Sequence, residues 1–332
     1  MRATPLLILL HDLALPAFVL AWLTGCTTAP GVVEGSWSRG APMPTARSEI
    51  AVTQLAGRIY AAGGIGRLGT TDAFEVYDPA TNAWRRLAPL PEALHHAAMT
   101  AAGDQIYVSG GYANMLFRPD RKSAWVYEPK ADGWRRIADM PGPRAAHKLL
   151  TLGGKIYAVG GVGPDATALW VYDTATDRWD TSRAPLPTAR EHLAAVAAEG
   201  KLYVIAGRWS GRGNLTVVEA YDPATDRWSR TADLPAPRGG HTAATVKGRI
   251  HVTGGEDLAS GDTFVNHWVY DPAADHWTAG PAMPTARHGL DSAADDESWY
   301  VVGGGTGAGG RTFFTLTDLI EVYVASMVFS AR

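Results

Sequence analysis

Ionisable side chains recur at two fixed points of a repeated sequence pattern, and their types suit acid–base chemistry. The first point lies two residues after a Pro-x-x-Arg motif or its variant, and it is occupied by Glu49, His96, Ala146, His192, Gly240 and Gly289. The second point directly follows a Gly-Gly pair or its variant, and it is occupied by Ile65, Tyr112, Val162, Arg208, Glu256 and Gly305. A carboxylate or an imidazole can act as a general acid or base, and a guanidinium can hold a carboxylate through paired hydrogen bonds.

Each of these candidates also has a structural interpretation. His96 and His192 are open between packing and binding, since an imidazole fits both roles. Glu49 and Glu256 are either solvated or functional, because a buried carboxylate without a partner is unfavourable. His96 and His192 lie two repeats apart and no short-spaced pair of ligands supports them, so the sequence predicts no metal site.

A sixfold repeat positions these residues. A Gly-Gly pair and a Trp recur about every 48 residues, a period typical of stacked or radial repeats. The tryptophans, which we expect to pack in the core or on hairpins, are Trp37, Trp84, Trp134, Trp179, Trp228 and Trp277. The Pro-x-x-Arg arginines are Arg47, Arg144, Arg190, Arg238 and Arg287. We expect these arginines to hydrogen-bond backbone carbonyls between repeats.

Each repeat predicts four antiparallel strands, named a to d. An apolar run before each Gly-Gly pair, such as Arg58–Ala62, is typical of a buried strand. A Tyr-Asp-Pro sequence, as at residues 77–79, predicts a tight turn, after which the chain returns in the strand that carries the Trp. Four-stranded units repeated radially form an all-β propeller, here with six blades. The pattern starts with a lone strand d at Trp37 and ends with a strand c at 318–324, so the N-terminal strand closes the last blade.

This set of motifs resembles that of the kelch-repeat propellers. It covers residues 35–325, and its copies share one register. The resemblance implies a six-bladed kelch β-propeller and leaves the activity open, because one fold serves many functions. In Kelch-like adaptor proteins the corresponding positions hold acidic peptides with arginines. This chain does not reproduce that basic set, since its two sets contain two Glu, two His, one Tyr and one Arg.

The N-terminus differs from the repeats. The apolar stretch 13–23 is too short to span a bilayer and fits the core of a signal peptide. It leads into Leu-Thr-Gly-Cys at 23–26, which resembles the lipobox of bacterial lipoproteins and makes Cys26 the lipidated residue. We therefore expect a signal peptide at 1–25, a tether at 26–34, the propeller at 35–325 and a tail at 326–332. An ordinary signal peptide that happens to end near a cysteine is the alternative.

The expected location is the bacterial cell envelope. A lipid on Cys26 would be the only contact with the membrane, and Thr27 after it favours the outer membrane, with the protein facing the periplasm or the surface.

A net charge of −3 with 19% charged residues gives no indication of a nucleic-acid partner. No cofactor is predicted, since no nucleotide fingerprint is present. A copper oxidase similar to galactose oxidase needs a Cys–Tyr crosslink in the propeller, whereas Cys26 is the only cysteine. We expect a monomer.

One face of the disc should carry the function. Strands alternate in direction, so the d–a and b–c connections share a face. The b–c connections differ in length, with about seven residues at 162–168 and thirteen at 305–317, and variable loops on a uniform scaffold are common binding sites. Further candidates for the rim of this face are Asn114, Phe117, Arg118, Arg121, Trp209 and Arg212.

Two functions remain open from the sequence. The first is a non-catalytic module that binds an unknown protein or glycan on the d–a and b–c face. The alternative is a sugar mutarotase or epimerase, since secreted sialate mutarotases (N-acetylneuraminate epimerases) are also six-bladed kelch propellers. The acid–base candidates for that reaction are Glu49, Glu256, His96 and His192, and the candidates for a carboxylate clamp are Arg208 and Arg212.

Overall fold

The structure is a computed structural model that describes residues 35–118 and 121–326 together with Met1. The described strands form six antiparallel four-stranded sheets arranged as the blades of a propeller. The predicted fold class is therefore confirmed: an all-β six-bladed propeller with four antiparallel strands per blade. The predictions for the signal peptide, Cys26 and the tether fall outside the described residues, as does most of the predicted tail.

The two inner strands of each blade are a and b. In the order of blades 1 to 6, strand a is Ala51–Leu55, Ala98–Ala102, Lys148–Leu152, Ala194–Ala198, Gly239–Val246 and Asp291–Ala294. Strand b is Arg58–Ala62, Gln105–Ser109, Lys155–Val159, Lys201–Ile205, Arg249–Asp257 and Ser298–Val302. Each strand a contacts the strand a of both neighbouring blades, so these strands form the wall of the central channel.

The two outer strands are c and d. In the same order, strand c is Phe74–Asp78, Ala124–Glu128, Trp170–Asp173, Val218–Asp222, His267–Asp271 and Ile320–Ala325. Strand d is Ala83–Arg86, Gly133–Arg136, Arg178–Asp180, Arg227–Arg230, His276–Gly280 and Gly35–Arg39. The last strand d pairs with Ile320–Ala325, with Trp37 opposite Tyr323, so the N-terminal strand completes blade 6 as predicted.

The b–c connections carry the remaining elements. Two short hairpins lie there, formed by Ile65–Gly66 with Gly69–Thr70 and by Arg208–Trp209 with Gly213–Asn214. Asp262–Thr263 extends blade 5. A 3₁₀ helix at Gly309–Phe314 lies in the blade 6 connection, where no helix was predicted. Among the described residues, no helix has the length and apolar character that crossing a membrane requires.

A side-chain clasp joins each c–d hairpin to the segment that leaves the preceding blade. In blade 4, Asp226 Oδ1 accepts hydrogen bonds from the Tyr221 hydroxyl (2.6 Å) and from the amide of Ala184 (3.0 Å). The indole N–H of Trp228 donates to the carbonyl of Ala184 (2.9 Å). Both backbone groups of Ala184 are thereby satisfied. The same contacts recur in blades 1, 2, 3 and 5, where Asn82, Asp132, Asp177 and Asp275 take the place of Asp226.

The Pro-x-x-Arg arginines are fully buried and bind groups within a single blade. Arg47 donates to the Ala61 carbonyl on strand b (3.0 Å) and to Glu75 on strand c (2.5 Å) of blade 1. The expectation that these arginines bridge neighbouring blades was therefore wrong. Their guanidinium groups fix the entry of strand a against strands b and c of the same blade, and the Tyr–Asp–Trp clasp joins one blade to the next.

The Gly-Gly pairs allow a close approach between neighbouring blades. Gly63 and Gly64 have φ angles of 60° and 109°, a region that residues with a Cβ rarely adopt. The amide of Gly64 donates to the carbonyl of Leu94 in blade 2 (2.8 Å), and a Cβ on Gly63 would lie 2.3 Å from that oxygen. The glycines therefore bring the end of strand b against the entry to the next blade.

Candidate functional site

A closed ring of backbone hydrogen bonds encircles the channel on the d–a and b–c face. Its members are the first set of candidates from the sequence, Glu49, His96, Ala146, His192, Gly240 and Gly289. All six have φ angles between 50° and 65°. Each amide donates to the carbonyl of the ring member before it, and Glu49 closes the circle on Gly289, at N···O distances of 2.6–3.3 Å. The ring forms through the backbone alone, so its side chains are free to differ.

Three side chains of the ring converge at this end of the channel. The Nε2 atoms of His96 and His192 lie 3.0 Å apart. Oε2 of Glu49 lies 3.2 Å from His96 Nε2 and 3.9 Å from His192 Nε2. The ring thus brings together residues that are far apart in sequence. The two-repeat separation of His96 and His192 therefore does not keep them apart, since these residues and Glu49 present ligand atoms within 4.8 Å of one another.

Burial controls the protonation of this cluster. It raises the pKa of Glu49, although His288 acts in the opposite direction. It lowers the pKa of His96 to about 3, with the positive charge of Arg208 adding to the effect. It also lowers the pKa of His192 well below the usual value. Both imidazoles are therefore neutral at pH 7, the form in which histidine binds a metal or accepts a proton.

The second set of candidates lies against the first. Arg208 donates from Nε to Glu191 (2.8 Å) and from Nη1 to Glu256. Oε2 of Glu256 lies 3.0 Å from Nδ1 of His288, whose Nε2 lies 3.7 Å from Oε1 of Glu49. The structure therefore brings Arg208 and Glu256 into one ionic network with Glu49.

An aromatic side chain from the b–c connection of blade 2 packs beside the cluster. The ring of Phe117 lies 4.9 Å from that of His95 and 5.7 Å from that of His96, measured between centroids. Tyr112 packs on the same two histidines at 5.2 and 5.3 Å. Glu49 and His192 keep 11% and 10% of their side-chain surface exposed, so the cluster remains in contact with solvent.

Other predicted rim residues lie outside this cluster. Trp209 is half-buried in the short hairpin of blade 4, and Arg212 is exposed at its tip. Arg118 is exposed on the blade 2 connection, and Arg121 forms an ion pair with Glu92. Asn114 contributes its carbonyl oxygen, which lies 3.1 Å from Nε2 of His95. These residues line the face rather than the channel.

Three residues of the network were missed by the sequence analysis: His95, Glu191 and His288. Each directly precedes a ring member, and each forms a β-bridge with a residue of the second set. Nδ1 of His95 lies 2.6 Å from Nδ1 of His96, and Nδ1 of His192 contacts Glu191. The signal available in the sequence is a polar residue directly after the Arg position, or its variant, in these repeats.

The channel changes character below the ring. Lys148 of blade 3 reaches across to Asp291 of blade 6, with its Nζ 2.7 Å from Oδ1. Asp291 also accepts from the amide of Val52 (3.0 Å) and from the hydroxyl of Thr242 (3.2 Å). Below the ring, the channel contains a cavity of about 300 Å³ that is lined mainly by short side chains of the strands a. The charged groups there neutralise one another, so the ionisable network of the ring is the stronger candidate site.

Comparison with known proteins identifies the family. The family model described as KLHDC2/KLHL20/DRC7 Kelch-repeats domain matches residues 146–331, and the Kelch motif model matches residues 46–91 and 93–141. The chain belongs to the kelch-repeat family. The matched kelch segments include ring positions in every blade, so the ring is part of the repeat itself.

The similar proteins share the repeats over limited lengths. Kelch-like protein 33 from Homo sapiens is 36% identical over 87 residues, which is 24% of this chain and 16% of that protein. Kelch repeat and BTB domain-containing protein 8 from Xenopus tropicalis is 31% identical over 103 residues, 30% of this chain and 17% of that protein. The chain thus matches about a sixth of the length of these relatives. The structure of YjhT is similar with a TM-score of 0.71 and 18% identity, covering 86% of this kelch chain and 99% of that one, a likeness of fold.

Proposed function

We propose that this chain is a non-catalytic kelch module that binds a protein partner on its d–a and b–c face. The observation that carries the proposal is the position of its exposed apolar side chains. Apart from Met1 and Val324, every exposed large hydrophobic residue of the described chain lies on a b–c connection. These six residues, called the apolar arc, are Leu68, Met115, Leu116, Phe117, Leu258 and Phe314. They belong to blades 5, 6, 1 and 2, which are consecutive around the disc.

The exposure within the apolar arc is too large to be incidental. Leu68 and Phe314 are almost completely exposed, and Leu116 is 71% exposed. Exposed apolar side chains gathered on one face are typical of interaction surfaces. A recess of about 710 Å³ opens beside Leu68, between blades 6 and 1, with Pro44 and Asp318 in its wall. A recess of this size can hold an anchoring side chain of a partner.

A protein partner fits the apolar arc better than a glycan. Four of its six side chains are aliphatic or thioether groups, as at Leu116 and Met115. A glycan surface needs hydrogen-bonding side chains beside its aromatic rings, and the apolar arc offers the rings of Phe117 and Phe314 without such side chains. Flexible Met and Leu side chains instead adapt to the apolar side chains of another protein.

The test is capture of the partner by paired variants. Wild-type protein, Leu116→Ser/Phe314→Ser and the control Val324→Ser are immobilised, and proteins from the native envelope are cross-linked to each. Val324 is exposed on strand c, away from the b–c connections. We expect one protein to be recovered with wild type and control and to fall at least about tenfold with the double variant, since a truncated anchor weakens binding by 1–2 kcal/mol or more. Equal recovery with all three proteins would contradict the proposal.

Mutarotase chemistry is the second candidate, and one observation favours it. Glu49, His96, His192, Arg208 and Glu256 do converge at one end of the channel. However, Arg208 already holds Glu191 and Glu256, so it would have to leave both carboxylates to bind a sugar acid. Exchange between the anomers of N-acetylneuraminate, followed by NMR, separates the two candidates. Acceleration that is lost in Glu49→Gln would favour the enzyme.

We also propose that a lipid on Cys26 anchors the protein in the bacterial envelope. The support is the sequence Leu-Thr-Gly-Cys at 23–26 after the apolar stretch 13–23. Mass spectrometry of the mature N-terminus should find a diacylglyceryl group on Cys26, and Cys26→Ala should release the protein from the membrane fraction. A mature chain that begins elsewhere and carries no lipid would contradict this part of the proposal.

A further inference from the structure

The ring cluster has the dimensions of a metal site. The three ligand atoms are Glu49 Oε2, His96 Nε2 and His192 Nε2, separated by 3.0, 3.2 and 3.9 Å. Three atoms at these separations share a centre about 2.0 Å from each, which is the length of zinc–nitrogen and zinc–oxygen bonds. Two imidazoles and one carboxylate are also a common ligand set for first-row transition metals.

The tautomer of His96 is set by a chain of hydrogen bonds. Nε2 of His95 faces the carbonyl oxygen of Asn114 at 3.1 Å, so this nitrogen carries the proton. Nδ1 of neutral His95 is therefore an acceptor, and Nδ1 of His96, 2.6 Å away, must be the donor. Neutral His96 then has a bare lone pair on Nε2, the atom that faces the other two ligand atoms.

A carboxylate faces the outer nitrogen of His192. Nδ1 of His192 lies against Oε2 of Glu191, and with the proton on Nδ1 the lone pair of this ring lies on Nε2. Nε2 of His192 lies 3.0 Å from Nε2 of His96. In this tautomer the two imidazole nitrogens and the Glu49 carboxylate oxygen all offer lone pairs to one point, and a cation there would satisfy all three.

Histidines that bind metals commonly have a hydrogen-bond acceptor beside their outer ring nitrogen. A carboxylate or carbonyl that accepts the remote N–H of a ligand histidine fixes the ring and raises its basicity. Glu191 faces Nδ1 of His192, where it can take this role, and the Asn114 carbonyl takes it for His96 through His95. His95 and Glu191 are therefore positioning residues, which act through the two ligands.

The charge of the network agrees with a divalent cation. Three carboxylates, those of Glu49, Glu191 and Glu256, are joined with one guanidinium, that of Arg208. Carboxylates therefore outnumber guanidinium groups in this network, and a divalent cation would offset the excess in a site that is largely buried.

We propose that Glu49, His96 and His192 form a binding site for one divalent transition-metal ion, with Zn²⁺ as the probe ion, at the ring end of the channel. The proposal is independent of partner binding on the apolar arc. The site is built on the backbone ring, whose closed hydrogen bonds hold the three ligand residues in place. The ion has three protein ligands and retains coordination positions for water or a small ligand.

The test is calorimetric titration of the metal-free full-length chain with Zn²⁺. Wild type should bind one equivalent. His192→Ala should lose more affinity than the roughly 10–100-fold that loss of an outer partner costs, and Glu191→Gln should fall within that range. Ala146 occupies the same ring position with φ 51°, so His192→Ala matches a side chain that the ring already accepts. The control His276→Ala removes an exposed histidine on strand d of blade 5 and should bind like wild type.

X-ray absorption adds a test that needs no variant. X-ray absorption of the wild-type complex should show two imidazoles in the coordination shell of the zinc. A shell of water oxygens alone, or the absence of a stoichiometric site, would overturn the proposal. So would a titration in which His276→Ala abolishes binding and His192→Ala does not, since the metal would then sit on the surface. Glu49→Gln, a nearly isosteric change, is the second variant and should also weaken binding.

Discussion

Two regions of this propeller repeat through all or most blades, and they repeat in different ways. The frame, meaning the Tyr–Asp–Trp clasps and the buried Pro-x-x-Arg arginines, keeps nearly the same side chains from blade to blade. The ring keeps the same backbone conformation but holds Glu, His, Ala and Gly. Side chains are uniform where they hold the blades together, and they differ where the backbone alone completes the structure.

The frame also contains an internal contrast. Arg47, Arg190 and Arg287 each pair with a buried glutamate on strand c. Arg144 and Arg238 have no carboxylate within ion-pair distance among the described residues and donate to backbone carbonyls instead. Burial lowers the pKa of Arg144 to about 9 and that of Arg238 to about 10. The Pro-x-x-Arg motif therefore recurs in sequence, although its arginine faces a glutamate in some blades and only carbonyls in others.

The largest predicted effect comes from breaking an ion pair of the frame. Arg47→Met leaves buried Glu75 with only the exposed Arg86, 3.9 Å away, as a cation, and should lower the free energy of unfolding by about 3–5 kcal/mol. Arg238→Met leaves only carbonyls behind and should be less destabilising. Urea denaturation of the two variants and wild type measures both. Equal losses would show that the glutamate partner is irrelevant.

Acid should weaken the packing of blade 5, where Nδ1 of His251 on strand b lies 2.9 Å from Nε2 of His267 on strand c. Burial lowers the pKa of His251 to about 3 and that of His267 to about 4. Both stay neutral in the fold while the unfolded chain takes up protons below a pKa near 6.5, so stability is complete above that pH and falls towards pH 4. The loss at pH 5 is about 2 kcal/mol for each histidine. Denaturation at pH 7 and pH 5 should show a smaller loss for His251→Leu/His267→Leu than for wild type, and an unchanged loss would refute this assignment.

Removing one clasp should have a smaller effect. Asp226→Ala deletes the acceptor of the Tyr221 hydroxyl and of the Ala184 amide. Two lost hydrogen bonds at a partly buried position predict a decrease of about 1–2 kcal/mol in the free energy of unfolding. Hydrogen exchange should be faster at the Ala184 amide than in wild type. Unchanged exchange there would mean that the clasp does not join the blades.

The smallest predicted effect on stability lies in the ring. His192→Ala should change the free energy of unfolding by less than about 1 kcal/mol, because the backbone ring closes through Ala146, Gly240 and Gly289 without ionisable side chains. Thermal denaturation without metal measures this. A loss as large as that of Arg47→Met would place His192 in the frame and end the distinction between the two regions.

Most of this architecture could be predicted from the sequence, because a strand or turn signal that is ambiguous in one repeat recurs at the same place in the others. Six aligned copies identify strands, turns and the ring positions, and the closure by Trp37 follows from the missing strand of blade 6. The ring network was only partly predictable. Whether His96 and His192 meet depends on the curvature of the ring and on side-chain directions, neither of which is encoded by spacing along the chain. His95 and Glu191 act through the atoms of their neighbours, and a residue-by-residue search of ring positions does not find them.

X-ray diffraction at the zinc absorption edge, from crystals grown with one equivalent of Zn²⁺, tests the difference between ring and frame most directly. We predict an anomalous peak about 2.0–2.2 Å from Glu49, His96 and His192. Such a peak would show that the side chains carried by the ring serve a site. A peak only at exposed His276, or none, would contradict the account and leave these histidines as packing groups.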